Sequence, residues 1–223
     1  MSAHLLRQAA AELLGSMLLT GVVIGSGILA SQLSAGNEAI ALLGNTLATA
    51  AILFVLICGL GPISGAHFNP AVTLIMALRR QLTPAGAIIY VTVQVAGCVL
   101  GAWLAHAMFG LPILQTSDHV RAGAAQILSE GSATFALLFA ILFVSRWKAD
   151  AAPAAVALVI AAGYWWTAST SFANPAISIA RAMSDTFAGI RPDDVPGFIL
   201  GQTAGALLAW VVSLVLLPPE KLP

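Results

Sequence analysis

The sequence has little charge, and this scarcity excludes more functions than any other feature of its composition. Only 8% of its 223 residues are Asp, Glu, Lys or Arg, whereas 59% are hydrophobic and the mean hydropathy is +0.95. A soluble domain carries about 25% charged residues, so we predict an integral membrane protein instead. The formal net charge is zero, which leaves nucleic-acid binding without electrostatic support.

Cysteine is also scarce, and the chain lacks the patterns that metal, redox or nucleotide chemistry needs. Cys58 and Cys98 lie in apolar runs without a Cys-x-x-Cys pair or a Cys/His cluster, so we interpret both as small buried hydrophobic residues. No Walker-type loop is present, which argues against ATP-driven transport. We therefore expect no cofactor, no bound metal and no catalytic residue, and the chain is predicted not to be an enzyme.

Long apolar runs predict six membrane-spanning helices in a single all-α domain over residues 1–223. Each span needs about 20 residues, and the runs are too long for the strands of a membrane β-barrel. The polar residues Arg146 to Asp150 are assigned to a loop. The predicted spans are approximately Leu5 to Gln32, Ile40 to Leu60, Thr83 to Phe109, Arg121 to Phe143, Ala154 to Ala168 and Val195 to Leu217.

Two short polar stretches interrupt this apolar chain, and each contains Asn-Pro-Ala. They are Asn69-Pro70-Ala71 and Asn174-Pro175-Ala176, and each has a Ser five residues before Asn and a hydroxyl residue four positions after it. Asn favours the N-cap of a helix and Pro its first turn, so each motif predicts a helix start. The apolar tails, Ala71 to Leu78 and Ala176 to Met183, are too short to span a bilayer, which predicts two re-entrant half-helices.

The two halves of the chain share one order of motifs, which predicts an internal repeat. Glu12 and Glu130 precede the two Asn-Pro-Ala stretches, and a Gln-x-Ala-Gly sequence follows each stretch, beginning at Gln94 and at Gln202. We assign repeat one to residues about 5–109 and repeat two to residues about 121–217. Because each half has an odd number of spans, the second half must enter the membrane with inverted topology.

The positive residues favour cytoplasmic N and C termini in the plasma (inner) membrane. With the N terminus inside, six of the nine Lys and Arg residues lie on the cytoplasmic side, as the positive-inside rule requires. The six are Arg7, Arg79, Arg80, Arg146, Lys148 and Lys221, and the outer three are Arg121, Arg181 and Arg191. In this arrangement the half-helices enter from opposite faces and point their N-termini at the membrane centre.

Irregular backbone at membrane depth predicts a pore. The segments before each Asn, Gly65 to His67 and Thr170 to Ala173, cannot be helical, and such backbone is tolerated there only within protein or beside a water-filled cavity. Their carbonyls and the NH₂ groups of Asn69 and Asn174 would offer hydrogen bonds to small neutral solutes. The positive ends of two half-helices would raise the cost of admitting a cation.

These residues resemble the aquaporin and glycerol-facilitator (major intrinsic protein) superfamily over nearly the whole chain. The resemblance rests on Glu12, Glu130, the stretch from Ser64 to Thr73, the second Asn-Pro-Ala and the paired Gln-x-Ala-Gly. It implies six spans, two half-helices meeting at the centre, one pore per protomer and a homotetramer in membrane lipid. It also implies a passive channel for water or glycerol-like polyols, in which Glu12 and Glu130 hold the pore loops. His67 is interpreted as a further loop brace, with gating by its protonation as the alternative.

One departure from the family pattern predicts a wide outer filter without arginine. Family members usually carry Arg directly after the second Asn-Pro-Ala, where this chain has Ile177, and its next arginine is Arg181. A bacterial branch with an aliphatic residue here, some of whose members accompany arsenic-resistance genes, extends the expected solutes to neutral metalloid hydroxides such as arsenite. Whether Arg181 replaces the missing arginine stays open. The resemblance puts the other filter positions at Thr49, at Ala162 or Gly163, and at Ser171.

Two alternatives to a passive channel follow from the same residues. A proton-coupled secondary transporter would use the intramembrane Glu12 and Glu130, and a non-conducting structural member of the fold would use neither. The aromatic residues near the ends of the predicted spans are interpreted as interfacial anchors or packing residues. They are Trp147, Tyr164, Trp165 and Trp166.

Overall fold

The computed structural model describes residues 3–218, and within that range the chain is all helix and loop, as predicted. Six segments of this range are long and apolar enough to cross a membrane. They are α1 (Ala3–Leu33), α2 (Glu38–Ser64), α4 (Pro84–Met108), α5 with its continuation (Ala124–Trp147), α7 (Ala152–Trp166) and α9 (Val195–Leu216). The two half-helices are α3 (Pro70–Leu78) and α8 (Pro175–Arg181). Each half therefore contributes three spans and one half-helix in the same order.

Helix α2 is longer than predicted. It ends at Ser64 instead of about Leu60, and it runs through Pro62. Proline lacks an N–H and forfeits one helical hydrogen bond, a loss that helices within membranes tolerate. Gly65 ends the helix in the left-handed conformation, with φ of 86°, and its N–H donates to Gly61 O at 2.9 Å. A glycine is suited to this position because it has no Cβ to clash.

The fourth span also reaches further than predicted. After α5 (Ala124–Phe139) the chain continues through a π-helical stretch, Ala140–Val144, into the single turn α6 (Ser145–Trp147). The assignment of Arg146 and Trp147 to a loop is therefore wrong. Their polarity marks where the apolar run stops, but backbone hydrogen bonds can extend a helix past the last apolar side chain.

Small residues let the spans of each half approach to backbone contact. A Cβ added to Gly97 would lie 2.4 Å from Leu13 O, and one added to Gly205 would lie 2.0 Å from Gly131 O. Gly97 and Gly205 are the last residues of the two Gln-x-Ala-Gly motifs. Close approach of this kind is how membrane helices gain van der Waals contact, so the motif fixes α4 on α1 and α9 on α5.

Apolar side chains also cover the perimeter of the molecule, as a surface in contact with lipid requires. Leu158, Trp165 and Val215 are more than half exposed. Cys58 lies on this exposed surface, whereas Cys98 is fully buried. The prediction of burial is confirmed for Cys98 and is wrong for Cys58, because an apolar sequence run cannot distinguish a lipid-facing position from a core position.

Candidate functional site

The two Asn-Pro-Ala motifs cap the half-helices as predicted. Asn69 Oδ1 accepts a hydrogen bond from Ala71 N at 2.9 Å, and Asn174 Oδ1 accepts one from Ala176 N at 3.0 Å. In both helices Pro occupies the first turn, where its missing N–H leaves nothing unsatisfied. Each asparagine therefore fixes the start of its half-helix and keeps its NH₂ group for another partner.

That partner is the backbone of the opposite half, a contact that sequence reasoning missed. Asn69 Nδ2 donates to Ala173 O at 2.7 Å, and Asn174 Nδ2 donates to Phe68 O at 2.8 Å. The two crossed bonds join the tips of the half-helices at the centre of the molecule. Because an amide NH₂ has two N–H donors, each asparagine retains one N–H beyond the crossed bond.

Glu12 is fully buried beneath the first pore loop, the non-helical segment before Asn69. Its carboxyl accepts hydrogen bonds from Ser64 Oγ at 2.7 Å, His67 N at 2.9 Å, Phe68 N at 2.7 Å and Gln94 Nε2 at 2.8 Å. All four partners are donors, so the carboxyl acts as an acceptor that ties α2, the loop and α4 together.

Glu130 forms the matching network beneath the second pore loop, the segment before Asn174, and is also fully buried. Its carboxyl accepts from Ser169 Oγ at 2.5 Å, Phe172 N at 2.9 Å, Ala173 N at 2.8 Å and Gln202 Nε2 at 2.6 Å. Counted from each asparagine, Ser64 matches Ser169. The loop-holding role implied for both glutamates therefore has a concrete set of partners in each repeat.

Both loops hold residues in the left-handed backbone region at the same three positions before asparagine. Their φ values lie between 47° and 86°, and for a non-glycine residue this conformation costs of the order of 1–2 kcal/mol. The bonds to Glu12 and Glu130 hold the loops in this shape. The six residues are Gly65, Ala66 and Phe68 in repeat one and Thr170, Ser171 and Ala173 in repeat two.

A cavity of about 520 Å³ passes both loops and both asparagines. Apolar side chains from the spans form most of its wall, for example Val23, Leu53, Leu137 and Ile160. The charged residues that line it are arginines, and none of the lining residues in the described part of the chain is Asp or Glu. Arg79 and Arg146 lie at the end towards which α3 runs, and Arg181 lies at the end towards which α8 runs.

Three of the predicted filter residues line this cavity, but the residue predicted on α7 does not. Thr49, Ser171 and Ile177 are lining residues, and each is buried from the outside. Ala162 is exposed on the perimeter, so its assignment to the filter is wrong. The alternative, Gly163, lies behind the loop, where an added Cβ would be 2.5 Å from Ser171 Oγ.

Tyr164 takes the place on α7 that was predicted for Ala162. It is buried, it lines the cavity, and its hydroxyl lies 3.2 Å from Thr49 Oγ1. Of the two interpretations of this residue, its burial excludes the interfacial anchor and leaves the packing residue. The spacing of Val156, Ile160 and Tyr164 places these residues on one helical face, and that spacing is the sequence signal that identifies the pore side of α7.

His67 and Phe172 occupy equivalent positions, two residues before each asparagine, and both line the cavity. His67 Nδ1 lies 3.1 Å from Thr73 Oγ1, and its ring packs edge-on against Tyr90 at 5.3 Å between centroids. Phe172 packs in the same way against Phe198 at 4.9 Å. These contacts are consistent with the predicted bracing role of His67.

Arg181 is only 2% exposed, yet it lines the cavity. Its guanidinium lies over the Phe172 ring at 3.3 Å from the centroid, and its Nε donates to Ala188 O. Within residues 3–218 its two terminal nitrogens have no hydrogen-bond partner. A second arginine, Arg121, which the sequence analysis placed on the outer side but not in the site, also approaches Phe172, at 5.1 Å from the ring centroid.

Comparison with known proteins finds the same architecture elsewhere. The family model described as major intrinsic protein matches residues 1–146. The chain is 52% identical over 217 residues to the aquaglyceroporin AqpS of Rhizobium meliloti (strain 1021), covering 97% of this chain and 93% of that protein. It is 29% identical to aquaporin NIP2-1 of Oryza sativa subsp. japonica, over 95% of this chain and 71% of that one. The solved structure of the aquaglyceroporin from Plasmodium falciparum matches with a TM-score of 0.69 at 20% identity, covering 94% of this chain and 95% of that one.

Proposed function

Because this chain belongs to the major intrinsic protein family, it is a passive membrane channel and not an enzyme, and we propose that the main solutes it conducts are water and glycerol-like polyols. The observation that carries this proposal is the cavity that runs past both asparagines between two arginine-lined mouths. A solute that crosses it meets hydrogen-bonding groups along the pore loops and apolar side chains along the spans. The similarity to a protein named as an aquaglyceroporin supports the same class of solute.

The cavity offers what a small polyhydroxyl molecule needs. The left-handed loops and the remaining N–H of each asparagine supply hydrogen bonds on one side, and residues such as Val23 and Ile160 supply an apolar wall on the other. Pockets of this mixed character orient amphipathic solutes. Neutral arsenite presents hydroxyl groups in a similarly compact form, so we include neutral metalloid hydroxides in the proposed range.

The outer filter that we propose consists of Thr49, Tyr164, Ser171 and Ile177, with Arg181 one helical turn beyond. Ile177 is 5% exposed and lines the cavity where family members usually carry arginine. An aliphatic side chain leaves more room and fewer donors than an arginine at this point, which favours solutes larger than water. Arg181 still offers the hydrogen-bond donors of its two terminal nitrogens to a solute at this mouth.

The alternative of a proton-coupled transporter has less support. Glu12 and Glu130 each accept four hydrogen bonds from donors, and neither belongs to the cavity lining. A carboxyl that holds a strained loop in this way would release the loop each time it took up a proton. The alternative of a non-conducting structural protein gives no reason for a cavity lined by both pore loops.

We also propose a homotetramer in the plasma membrane, with both termini in the cytoplasm and the Arg181 mouth outside. Among the described residues, Arg7, Arg79, Arg80, Arg146 and Lys148 then lie on the cytoplasmic side, in agreement with the positive-inside rule. Lys221, which contributes to the same prediction, lies outside the described residues. The apolar perimeter supports burial against lipid or a second copy of the chain.

Osmotic shrinkage and re-swelling of reconstituted vesicles tests the proposal. Water, glycerol, urea and neutral arsenite should all cross wild-type vesicles faster than protein-free vesicles. Ile177→Arg should reduce glycerol and arsenite flux more than water flux, because a longer, charged side chain narrows the filter. Ile177→Val is the matched control and should keep the wild-type order of solutes. Background permeability for every solute, or an equal reduction for all of them in Ile177→Arg, would contradict the proposal.

A further inference from the structure

The backbone carbonyl of the serine that lies five residues before asparagine accepts its hydrogen bond from a different donor in each repeat. Ser64 and Ser169 each lie five residues before the pore asparagine. Ser64 O accepts a hydrogen bond from the Tyr90 hydroxyl at 2.9 Å, and Tyr90 lies four residues before Gln94. The residue four positions before Gln202 is Phe198. Phenylalanine has no hydroxyl, so the carbonyl of Ser169 needs another donor.

Arg121, at the start of repeat two, provides that donor. Its Nη1 donates to Ser169 O at 3.3 Å, and its Nε donates to Gly189 O at 2.8 Å. Its backbone N–H donates to the buried Asp194 at 2.8 Å. Arg121 lies in the connection between α4 and α5, nine residues before Glu130, and the residue nine positions before Glu12 is Ala3, which has no donor side chain. The connection thus reaches back to the second pore loop and replaces the missing tyrosine hydroxyl.

Unlike Tyr90, Arg121 also brings a charge. Its guanidinium and that of Arg181 both lie near the Phe172 ring, at 5.1 Å and 3.3 Å from the centroid. Within residues 3–218 neither guanidinium forms a salt bridge, because their bonds go to backbone carbonyls. Both groups interact electrostatically with the buried Glu130, which forms a salt bridge with neither. Two positive charges near one carboxylate leave a positive field at the mouth of a low-dielectric passage.

The charges of Arg121 and Arg181 also act on a neighbouring histidine. His119 lies two residues before Arg121 in the same connection, and burial, followed by the charges of Arg121 and Arg181, lowers the pKa of its imidazole. Asp118 and Asp185 act in the opposite direction without reversing the shift. Phe172, the residue that both arginines approach, corresponds in the first loop to His67, which packs instead against the uncharged ring of Tyr90. Among the described residues, the pair of arginines packed on one ring therefore belongs to the second loop.

We propose that Arg121 is both a positioning residue for the second pore loop and, together with Arg181, the source of the charge that excludes cations at this mouth. This inference rests on the proposed function as a channel for neutral solutes. Arg121 holds the loop through the Ser169 carbonyl, and the two guanidinium groups repel a cation before it reaches the asparagines. The aliphatic Ile177 can then widen the filter while the barrier to cations is retained.

A rescue experiment separates the two roles. Arg121→Met removes the bond and the charge, and Arg121→Met with Phe198→Tyr restores a hydroxyl at the position equivalent to Tyr90 without restoring the charge. Glycerol flux is measured by vesicle shrinkage and re-swelling. Cation entry is measured by a trapped pH-sensitive dye, with a potassium gradient and valinomycin driving protons inward. Tyr90→Phe is the matched control, because it removes the equivalent bond in repeat one and leaves every charge in place.

Arg121→Met should lower glycerol flux several-fold and raise proton entry by about tenfold, since a unit charge about 12 Å away at an effective dielectric constant of about 20 contributes about 1.4 kcal/mol. The double variant should regain most of the glycerol flux and keep the raised proton entry, whereas Tyr90→Phe should lose glycerol flux without admitting protons. A double variant that restores both properties, or an Arg121→Met variant as proton-tight as the wild type, would overturn the inference.

Arg121→Lys provides a test if the methionine variant fails to fold. Lysine keeps the charge but lacks the planar fork that reaches two carbonyls, so glycerol flux should fall while protons stay excluded. Proton entry through the lysine variant would contradict the charge role. A wild-type protein without any glycerol flux would instead overturn the proposed function, and this inference with it.

Discussion

The pore loop of repeat one and the pore loop of repeat two hold their asparagines with the same bonds but meet the cavity with different side chains. Both are fixed by a buried glutamate, a serine, a glutamine and left-handed backbone at matching positions. Around this common frame, His67 and Tyr90 in repeat one correspond to Phe172 and Phe198 in repeat two. Arg121 and Arg181 pack on Phe172, whereas His67 packs against the uncharged ring of Tyr90.

This difference separates what the centre of the channel requires from what its mouths require. At the centre the two halves bond to each other through Asn69 and Asn174, so each half must present the same geometry. The two mouths face different compartments and do not bond to each other, so their side chains need not match. The geometry that the two halves share at the centre is that of the backbone and the asparagines, because side-chain size differs there: the bulky Phe68 packs on Gly15, whereas the equivalent residues in repeat two are Ala173 and Ala133.

The largest effect is expected from the two buried glutamates. Glu12→Leu and Glu130→Leu each leave four buried donors without an acceptor, and each unsatisfied group costs about 1–3 kcal/mol. We expect both variants to lose folded protein and solute flux, as measured by size-exclusion chromatography in detergent and by vesicle permeability. Glu12→Gln and Glu130→Gln keep the shape and should lie between wild type and leucine. A fully active leucine variant in either repeat would show that the two glutamates do not hold their pore loops in the same way.

The crossed asparagines should come next in size of effect. Asn69→Asp and Asn174→Asp each place a carboxylate against the carbonyl that the amide now donates to, and each adds negative charge at the membrane centre. We expect glycerol flux to fall by about tenfold, from the loss of an interaction of roughly 1.4 kcal/mol, and proton entry to rise in both variants. An effect confined to one asparagine would show that the two halves do not contribute equally.

The contact between the small Gly15 and the large Phe68 predicts that a substitution at one position can compensate for a substitution at the other. An added Cβ at Gly15 would lie 2.0 Å from the Phe68 ring, so Gly15→Ala should cost about 1–3 kcal/mol of unfolding free energy by overpacking. In a Phe68→Ala background, which reproduces the alanine of repeat two, the same change should cost close to nothing. Unfolding titrations in mixed detergent micelles measure both values. An equal cost in the two backgrounds would mean that the ring is not the obstacle.

The smallest effect is expected from the tyrosine hydroxyl of repeat one. Tyr90→Phe removes the donor to Ser64 O and should lower the unfolding free energy by about 1 kcal/mol. The mirror change, Phe198→Tyr, should give no comparable gain in the wild-type chain, because Arg121 already donates to Ser169 O. Unfolding titrations of the two variants in parallel compare the values directly. A gain from Phe198→Tyr as large as the loss from Tyr90→Phe would contradict the role of Arg121.

The common frame of the two loops could be predicted from the sequence because each of its parts occurs twice. A single buried Glu12 or a single Asn69 allows several interpretations, but its recurrence as Glu130 or Asn174 with equivalent neighbours leaves few. The six spans followed from apolar length alone. The ends of α2 and of the fourth span were misplaced, because backbone hydrogen bonds continue through Pro62 and past the last apolar residue.

The features that differ between the repeats could not be predicted in the same way. Tyr164 was missed because the face of α7 that points into the pore depends on the rotation of the helix about its axis. Counting residues back from Asn174 across an irregular loop does not determine that rotation. Arg121 was missed as a site residue because it lies in a loop between helices, and no sequence pattern predicts its hydrogen bond to Ser169 O. The crossed bonds of Asn69 and Asn174 require the two halves to be placed in space.

Sided chemical modification tests most directly the central claim that two inverted loops line one pathway. Ala66 and Ser171 are equivalent positions, three residues before each asparagine, and both line the cavity. Ala66→Cys should lose water flux only when a charged, membrane-impermeant thiol reagent acts from the cytoplasmic face, and Ser171→Cys only when it acts from outside. The wild type should stay unaffected, because Cys98 is buried and neither Cys98 nor Cys58 lines the cavity. Inhibition of both variants from the same face, or of neither, would contradict the account.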